Sequence, residues 1–108
     1  MTVRTLITFR VKPGQEAAFE KAYGEGEMLE RAAIVPGFLG GDLMKLNGDG
    51  STYAATALWD NAESYKQWQA AYATALDQDK VSAMMETLET FEPGQVYEVL
   101  RTAPTNKQ

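Results

Sequence analysis

The sequence contains neither cysteine nor histidine. Without cysteine there can be no disulfide, no thiolate metal site and no thiol nucleophile. Without histidine the chain lacks the commonest metal ligand, the usual axial ligand of haem and the commonest general base. No haem or transition metal is therefore expected, and any chemistry must rest on Asp, Glu, Tyr, Lys, Arg, Asn, backbone groups or the substrate itself. Positive charge is also scarce: 10 Lys and Arg stand against 15 Asp and Glu, a net charge of -5. No basic cluster is present to meet a phosphate backbone, so nucleic acid is not an expected partner. No apolar run approaches the roughly 20 residues that span a bilayer, and no membrane association is expected. The opening Met1-Thr2-Val3-Arg4-Thr5 has neither the charged nor the apolar region of a secretory signal, so a cytoplasmic protein is expected.

What is present reads as one globular domain. The 108 residues are 44% hydrophobic and 23% charged, close to ordinary averages, and that length suits a single core of modest size. Residues 3–11 alternate, with Val3, Ile7, Phe9 and Val11 on one face and Arg4, Thr8 and Arg10 on the other, as in a half-buried strand. Leu6 interrupts the polar face. Lys12-Pro13-Gly14 stops the strand, and a helical stripe of Phe19, Ala22, Tyr23, Leu29 and Ala33 follows. Gly24-Glu25-Gly26 predicts a kink or break within it, since each glycine costs about 1 kcal/mol against alanine in a helix. After the turn Val35-Pro36-Gly37-Phe38, strands are expected over 38–46 and 52–59. Asn47-Gly48-Asp49-Gly50 joins them as a hairpin whose glycines supply positive φ. Asp60-Asn61-Ala62-Glu63 has the form of a helix N-cap, and a helix is expected to about Ala75. Leu76-Asp77-Gln78-Asp79 interrupts it. A second short helix presents Val81, Met84, Met85 and Leu88 on one face, Glu92-Pro93-Gly94 is read as a turn, and a last strand is expected from Gln95 to Arg101.

This order is βαββαβ, an α+β ferredoxin-like sandwich: an antiparallel four-stranded sheet with helices on one face. One domain is expected over residues 1–103, with a short tail at 104–108. The uncovered sheet face should be polar, yet Tyr53 to Trp59 is apolar or small on both faces, and the last strand places Val96 and Leu100 on one face and Tyr97 and Val99 on the other. A sheet apolar on both sides needs a second cover, which a second copy of the chain supplies by two-fold symmetry.

The segment Ala57-Leu58-Trp59-Asp60-Asn61-Ala62-Glu63-Ser64-Tyr65-Lys66-Gln67-Trp68 resembles the signature of the antibiotic biosynthesis monooxygenase (ABM) family: a strand ending in Trp, then a capped helix with an aromatic residue six positions on. Lys12-Pro13-Gly14-Gln15 and Val35-Pro36-Gly37-Phe38 resemble the family's first turn and helix exit. The resemblance spans nearly the whole chain and implies a dimeric α+β barrel. Family members oxidise anthrone-type or quinol substrates with O2 and no cofactor, or bind and cleave haem. By resemblance Trp59 lines the pocket and Tyr65 faces it. Two departures bear on activity. The anthrone oxidisers carry an Asn on the strand just before the Trp, where this chain has Ala55. The haem cleavers carry a His, which this chain lacks, and an Asn on the first strand, where Ile7 stands.

Asn61, Tyr65, Trp68 and Tyr72 are spaced four, three and four apart and share one helix face. Trp68 and Tyr72 fit a core stripe as readily as a ligand wall; Asn61 is read as a solvated first helical residue. Arg4 and Arg10 project opposite the apolar set of the first strand, where they are read first as solvated or paired with Glu98 or Asp42, and otherwise as binding an anionic or phenolate ligand. The glutamates of the first helix are read as a solvated face, and the methionines as adaptable core filler. Gly37 with Gly40-Gly41 lacks the Lys of a phosphate loop. The resulting expectation is a cofactor-free monooxygenase. Tyr65 and Trp59 act on a flat, electron-rich aromatic substrate and O2, and Trp68, Tyr72 and Arg10 help bind it. The alternative is a binding or assembly module of the same fold that has lost the reactive groups, for which Ala55 is the strongest argument; haem degradation is the remaining alternative.

Overall fold

The structure, a computed structural model, describes residues 1–103, apart from the side chains of Ala73 and Pro93; the tail expected at 104–108 lies outside the described residues. The elements are β1 (Val3–Val11), α1 (Glu16–Glu25), α2 (Met28–Ala32), β2 (Phe38–Lys45), β3 (Thr52–Trp59), α3 (Ala62–Ala75), α4 (Gln78–Met85) and β4 (Leu88–Glu98). The four strands form one antiparallel sheet in the order β2-β3-β1-β4, the ferredoxin-like arrangement.

Register decides which side chains meet the helices. β1 pairs with β3 so that Val3 lies opposite Trp59, Thr5 opposite Ala57, Ile7 opposite Ala55 and Phe9 opposite Tyr53. These odd-numbered residues face α1 to α4. Phe9, Val11 and Tyr53 close on Phe19 and Tyr23 of α1, with Val81 and Met84 of α4 and Leu88 beside them. The Phe19 and Tyr53 rings lie 4.7 Å apart. A second cluster of Val3, Ala32, Ala57, Trp59 and Tyr65 forms at the other end of the sheet, and Trp68 packs against both.

The first helical stretch breaks where the glycines predict. Gly26 ends α1, Glu27 adopts a left-handed φ of 55°, and α2 restarts at Met28. In the loop between β2 and β3 only Gly48 takes positive φ (86°). Asp49 supplies the rest of the turn: its carboxylate accepts from the Ser51 amide at 2.9 Å and the Thr52 hydroxyl at 3.0 Å.

Three sequence expectations are corrected. Asn61, read as the first helical residue, is the N-cap of α3: it is extended (φ -158°, ψ 169°) and its Oδ1 accepts from the Ser64 amide at 3.0 Å. Leu88, read as helical, opens β4. And β4 runs from Leu88 to Glu98 rather than from Gln95 to Arg101, so Leu100 falls outside it. The turn-like Glu92-Pro93-Gly94 lies within the strand as an irregularity: the register passes from Leu6 opposite Gln95 to Thr8 opposite Glu92. Such a bulge on an edge strand accommodates a proline without breaking the sheet.

Candidate active site

Between the sheet and the helices lies a cavity of about 480 Å³, within the range of small-molecule sites. Its floor is the helix-facing side of β1 and β3: Thr5, Ile7, Phe9, Ala55 and Ala57. Small side chains at 55 and 57 leave the space that large ones would fill. Trp59, Tyr65 and Trp68 form one wall, with Gln69 and Tyr72 further along α3; Tyr23, Met28 and Met84 close the opposite side, and Phe91 of β4 stands at the edge.

Trp59 is 1% exposed and ends β3. Its indole Nε1–H donates to the Thr5 hydroxyl across the sheet at 3.1 Å, and that hydroxyl donates in turn to the Ala57 carbonyl at 3.5 Å. The tryptophan's polar atom is thus satisfied within the protein, and the small part of the side chain that reaches the cavity is apolar. The ring is held from two sides. Phe38 meets it edge-on with centroids 5.2 Å apart and planes at 85°, and Tyr65 lies tilted at 5.7 Å.

Tyr65 is placed by the capped first turn of α3, four residues beyond the N-cap Asn61 and next to Ser64, whose amide that cap holds. The chain enters that cap through Gly37, whose carbonyl accepts from the Asp60 amide at 2.7 Å. Gly37 has φ 95°, and a Cβ there would overlap the Ser64 hydroxyl. The Tyr65 hydroxyl end rests on the backbone of Gly94 in the β4 irregularity, where a Cβ would likewise overlap it. Burial pushes the Tyr65 hydroxyl above its ordinary pKa, and the Gln69 side chain one helical turn on pulls the other way by hydrogen bonding to it. Burial also raises the Tyr72 hydroxyl, and it raises Tyr23 to about 12 with help from the Glu30 carboxylate. At neutral pH the tyrosines of the cavity are therefore neutral donors.

The structure brings Trp59, Tyr65, Trp68 and Tyr72 to one cavity. Trp68 and Tyr72 meet edge-on with centroids 5.9 Å apart, Tyr72 at the exposed margin. Arg10 is not among them: it is exposed, it stands opposite Thr52 and Thr90 on the sheet face away from the helices, and its charge helps hold Asp49 below the usual carboxylate range, behind the hydrogen bonds from Ser51 and Thr52. Arg4 lies on the same far face and donates to the Thr56 hydroxyl at 3.4 Å. Sequence reasoning missed Gln69, whose signal was its position one turn beyond Tyr65, and Tyr23, which reads from sequence as helix core. Among the described residues no group of three or more His, Cys, Asp or Glu is placed to hold a metal ion. No described helix is long and apolar enough to cross a membrane.

Comparison with known proteins agrees with this architecture. The chain is similar in structure to SnoaB, a cofactor-independent oxygenase from Streptomyces nogalater, with a TM-score of 0.74 at 21% identity over 96% of this chain and 98% of that one. It is similar to a dimeric ferredoxin-like protein from an uncultured marine organism, with a TM-score of 0.77 at 11% identity over 97% and 92% of the two chains. A protein of unknown function from Nitrosomonas europaea gives a TM-score of 0.69 at 18% identity over 98% and 96%. At such identities these likenesses speak for the fold. No curated protein sequence matches the chain. The family model for antibiotic biosynthesis monooxygenase matches residues 2–87, from the start of β1 through α4. With that span covering most of the described fold, the chain belongs to the antibiotic biosynthesis monooxygenase (ABM) family.

Proposed function

We propose that the chain is a cofactor-independent monooxygenase acting with O2 on an electron-rich aromatic of the anthrone or quinol type. The observation that carries the reading is the apolar cavity of about 480 Å³ walled by Trp59 and Tyr65. A flat polycycle fits between the apolar walls, with Trp59 and Trp68 among them, while the Tyr65 hydroxyl donates to its oxygen. O2 is reduced directly by such a substrate once it is deprotonated. For an anthrone the ring CH2 becomes a carbonyl: one oxygen atom of O2 is retained there, the other leaves as water, and the substrate supplies all four electrons. The protein's part is to hold the ring, exclude water and stabilise the developing oxyanion by a hydrogen bond from Tyr65. The SnoaB likeness supports the oxygenase reading.

The test is O2 uptake with anthrones and naphthoquinols in the presence of a chelator. Uptake above the spontaneous rate is expected, and Tyr65→Phe should lower it by about 100-fold, the usual loss for one positioned oxyanion donor. Uptake at the spontaneous rate across the panel would overturn the reading. A second reading, a binding module without turnover, is favoured by one observation: Ala55 and Ile7 line the cavity where active relatives are expected to carry amides. Under it the same aromatics bind and are recovered unchanged.

The working form in this proposal is a homodimer through the sheet face opposite the helices. That face carries Leu6, Ala54 and Leu58, half-buried, and Met44 and Tyr97, 44% and 50% exposed. The dimeric ferredoxin-like neighbour supports it.

A further inference from the structure

We infer that the cavity rejects anionic aromatic ligands in favour of ones that present a neutral hydroxyl or keto oxygen to Tyr65 and Gln69, and that Gln69 sets this preference. The inference rests on the aromatic-ligand reading above and narrows it to a charge class.

Among the described residues no charged side chain lines the cavity. Both arginines of β1 are spent on the far face of the sheet, Arg4 on the Thr56 hydroxyl. The charge that makes itself felt inside is negative, the Glu30 carboxylate acting on the Tyr23 hydroxyl. A ligand carboxylate, sulfonate or phosphate would lose its hydration shell and find no cation in return. A ligand cation would instead meet aromatic faces such as Trp68 and Tyr72, which attract it.

The polar groups of the lining narrow the choice further. The Thr5 hydroxyl is committed to Trp59 and Ala57, and the Thr56 hydroxyl accepts from Arg4. The Tyr23 hydroxyl, on the opposite side of the cavity, lies in the field of the Glu30 carboxylate, which opposes an anion there as well, and Tyr72 sits at the exposed margin. Tyr65 and Gln69 remain, one helical turn apart; the hydrogen bond that Gln69 donates to the Tyr65 oxygen leaves the phenol O–H and the amide oxygen for a ligand. A phenol donates and accepts, and a primary amide does both at separate atoms, so together they read either a hydroxyl or a ketone. They offer no full charge with which to hold an anion.

The test is calorimetric titration, without O2, of the full chain with three probes of one shape: 2-naphthol, 2-naphthoate and a naphthyltrimethylammonium salt. At neutral pH 2-naphthol should bind, 2-naphthoate should bind about 100-fold more weakly or not at all, as befits an unpaired buried charge, and the ammonium should bind more tightly than 2-naphthoate. Gln69 is exposed on its outer side, so Gln69→Arg should fold and place a cation beside Tyr65. It should improve 2-naphthoate binding about tenfold or more, the size of a charge-assisted hydrogen bond, and should not improve the ammonium. Binding of 2-naphthoate to the parent chain within about threefold of 2-naphthol would overturn the charge selection while leaving the aromatic site standing. An unchanged 2-naphthoate affinity in Gln69→Arg would overturn the assignment of Gln69. Failure of all three probes to bind would overturn the aromatic-ligand reading itself.

Discussion

Trp59 and Tyr65 show how much of a site local chain geometry can announce. A strand that ends in a tryptophan and turns straight into a capped helix must place the residues of the helix's first turns against that ring. The contact between the two rings was therefore legible from residues 57–68, whereas their expected place at a pocket came from the resemblance of that segment to the family signature. Gly94 and Gln69 were not legible in this way. Gly94 matters because the Tyr65 hydroxyl rests on it from a distant stretch of chain, and nothing local to either residue signals that contact. Arg10 was placed by the alternation of β1 on the face away from the helices, and the cavity opened on the other. Tyr23 carries a prediction of its own. Burial, then the Glu30 carboxylate, raises its hydroxyl from an ordinary 10.0 to about 12. Because the folded pKa lies above the unfolded one, the stabilisation is complete below pH 10 and is lost as pH rises through 12. Tyr23 alone should account for about 2–3 kcal/mol of that loss. Urea unfolding at a series of alkaline pH values should show a shallower decline in Tyr23→Phe, with a residual slope from the other buried tyrosines. An identical decline in both proteins would contradict the assignment.

The helix α3 depends on a cap one residue later than the sequence pattern placed it. Asn61, not Asp60, is extended and accepts the Ser64 amide. Asn61→Ala should therefore cost about 1 kcal/mol of stability by urea unfolding, whereas Asp60→Ala should cost much less. Equal costs would show that the cap is shared. The strands β1, β2 and β3 were read within a residue of their observed ends, because alternation and the Asn-Gly hairpin are strong local signals. β4 was misread at both ends for a physical reason. Val81, Met84, Met85 and Leu88 continue one helical stripe past the point where α4 stops, and Glu92-Pro93-Gly94 has the composition of a turn. Only pairing with β1 makes it a strand, and the register irregularity opposite Ile7 absorbs the proline. That irregularity also brings Gly94 to Tyr65, so the element that sequence described least well is one that shapes the site.

Taken whole, the chain has a helix-covered sheet face that holds a cavity and an uncovered face that mixes arginines with apolar side chains. The uncovered face motivates the dimer. Sedimentation equilibrium at micromolar concentration should give about twice the monomer mass, and Leu58→Glu should shift it to the monomer mass with the helical signal retained; a parent chain that sediments as a monomer would contradict the dimer. The central claim concerns the other face: that the Trp59–Tyr65 cavity lets O2 oxidise a bound aromatic directly. Its most direct test is the conversion of anthrone to anthraquinone under isotopically labelled O2 with chelator present, comparing the parent chain, Trp59→Ala and buffer. The account predicts conversion faster than in buffer, one labelled oxygen atom in each anthraquinone formed, and a rate in a folded Trp59→Ala protein that falls most of the way to the buffer rate. Conversion by the parent chain at the buffer rate, or an undiminished rate in Trp59→Ala, would contradict it.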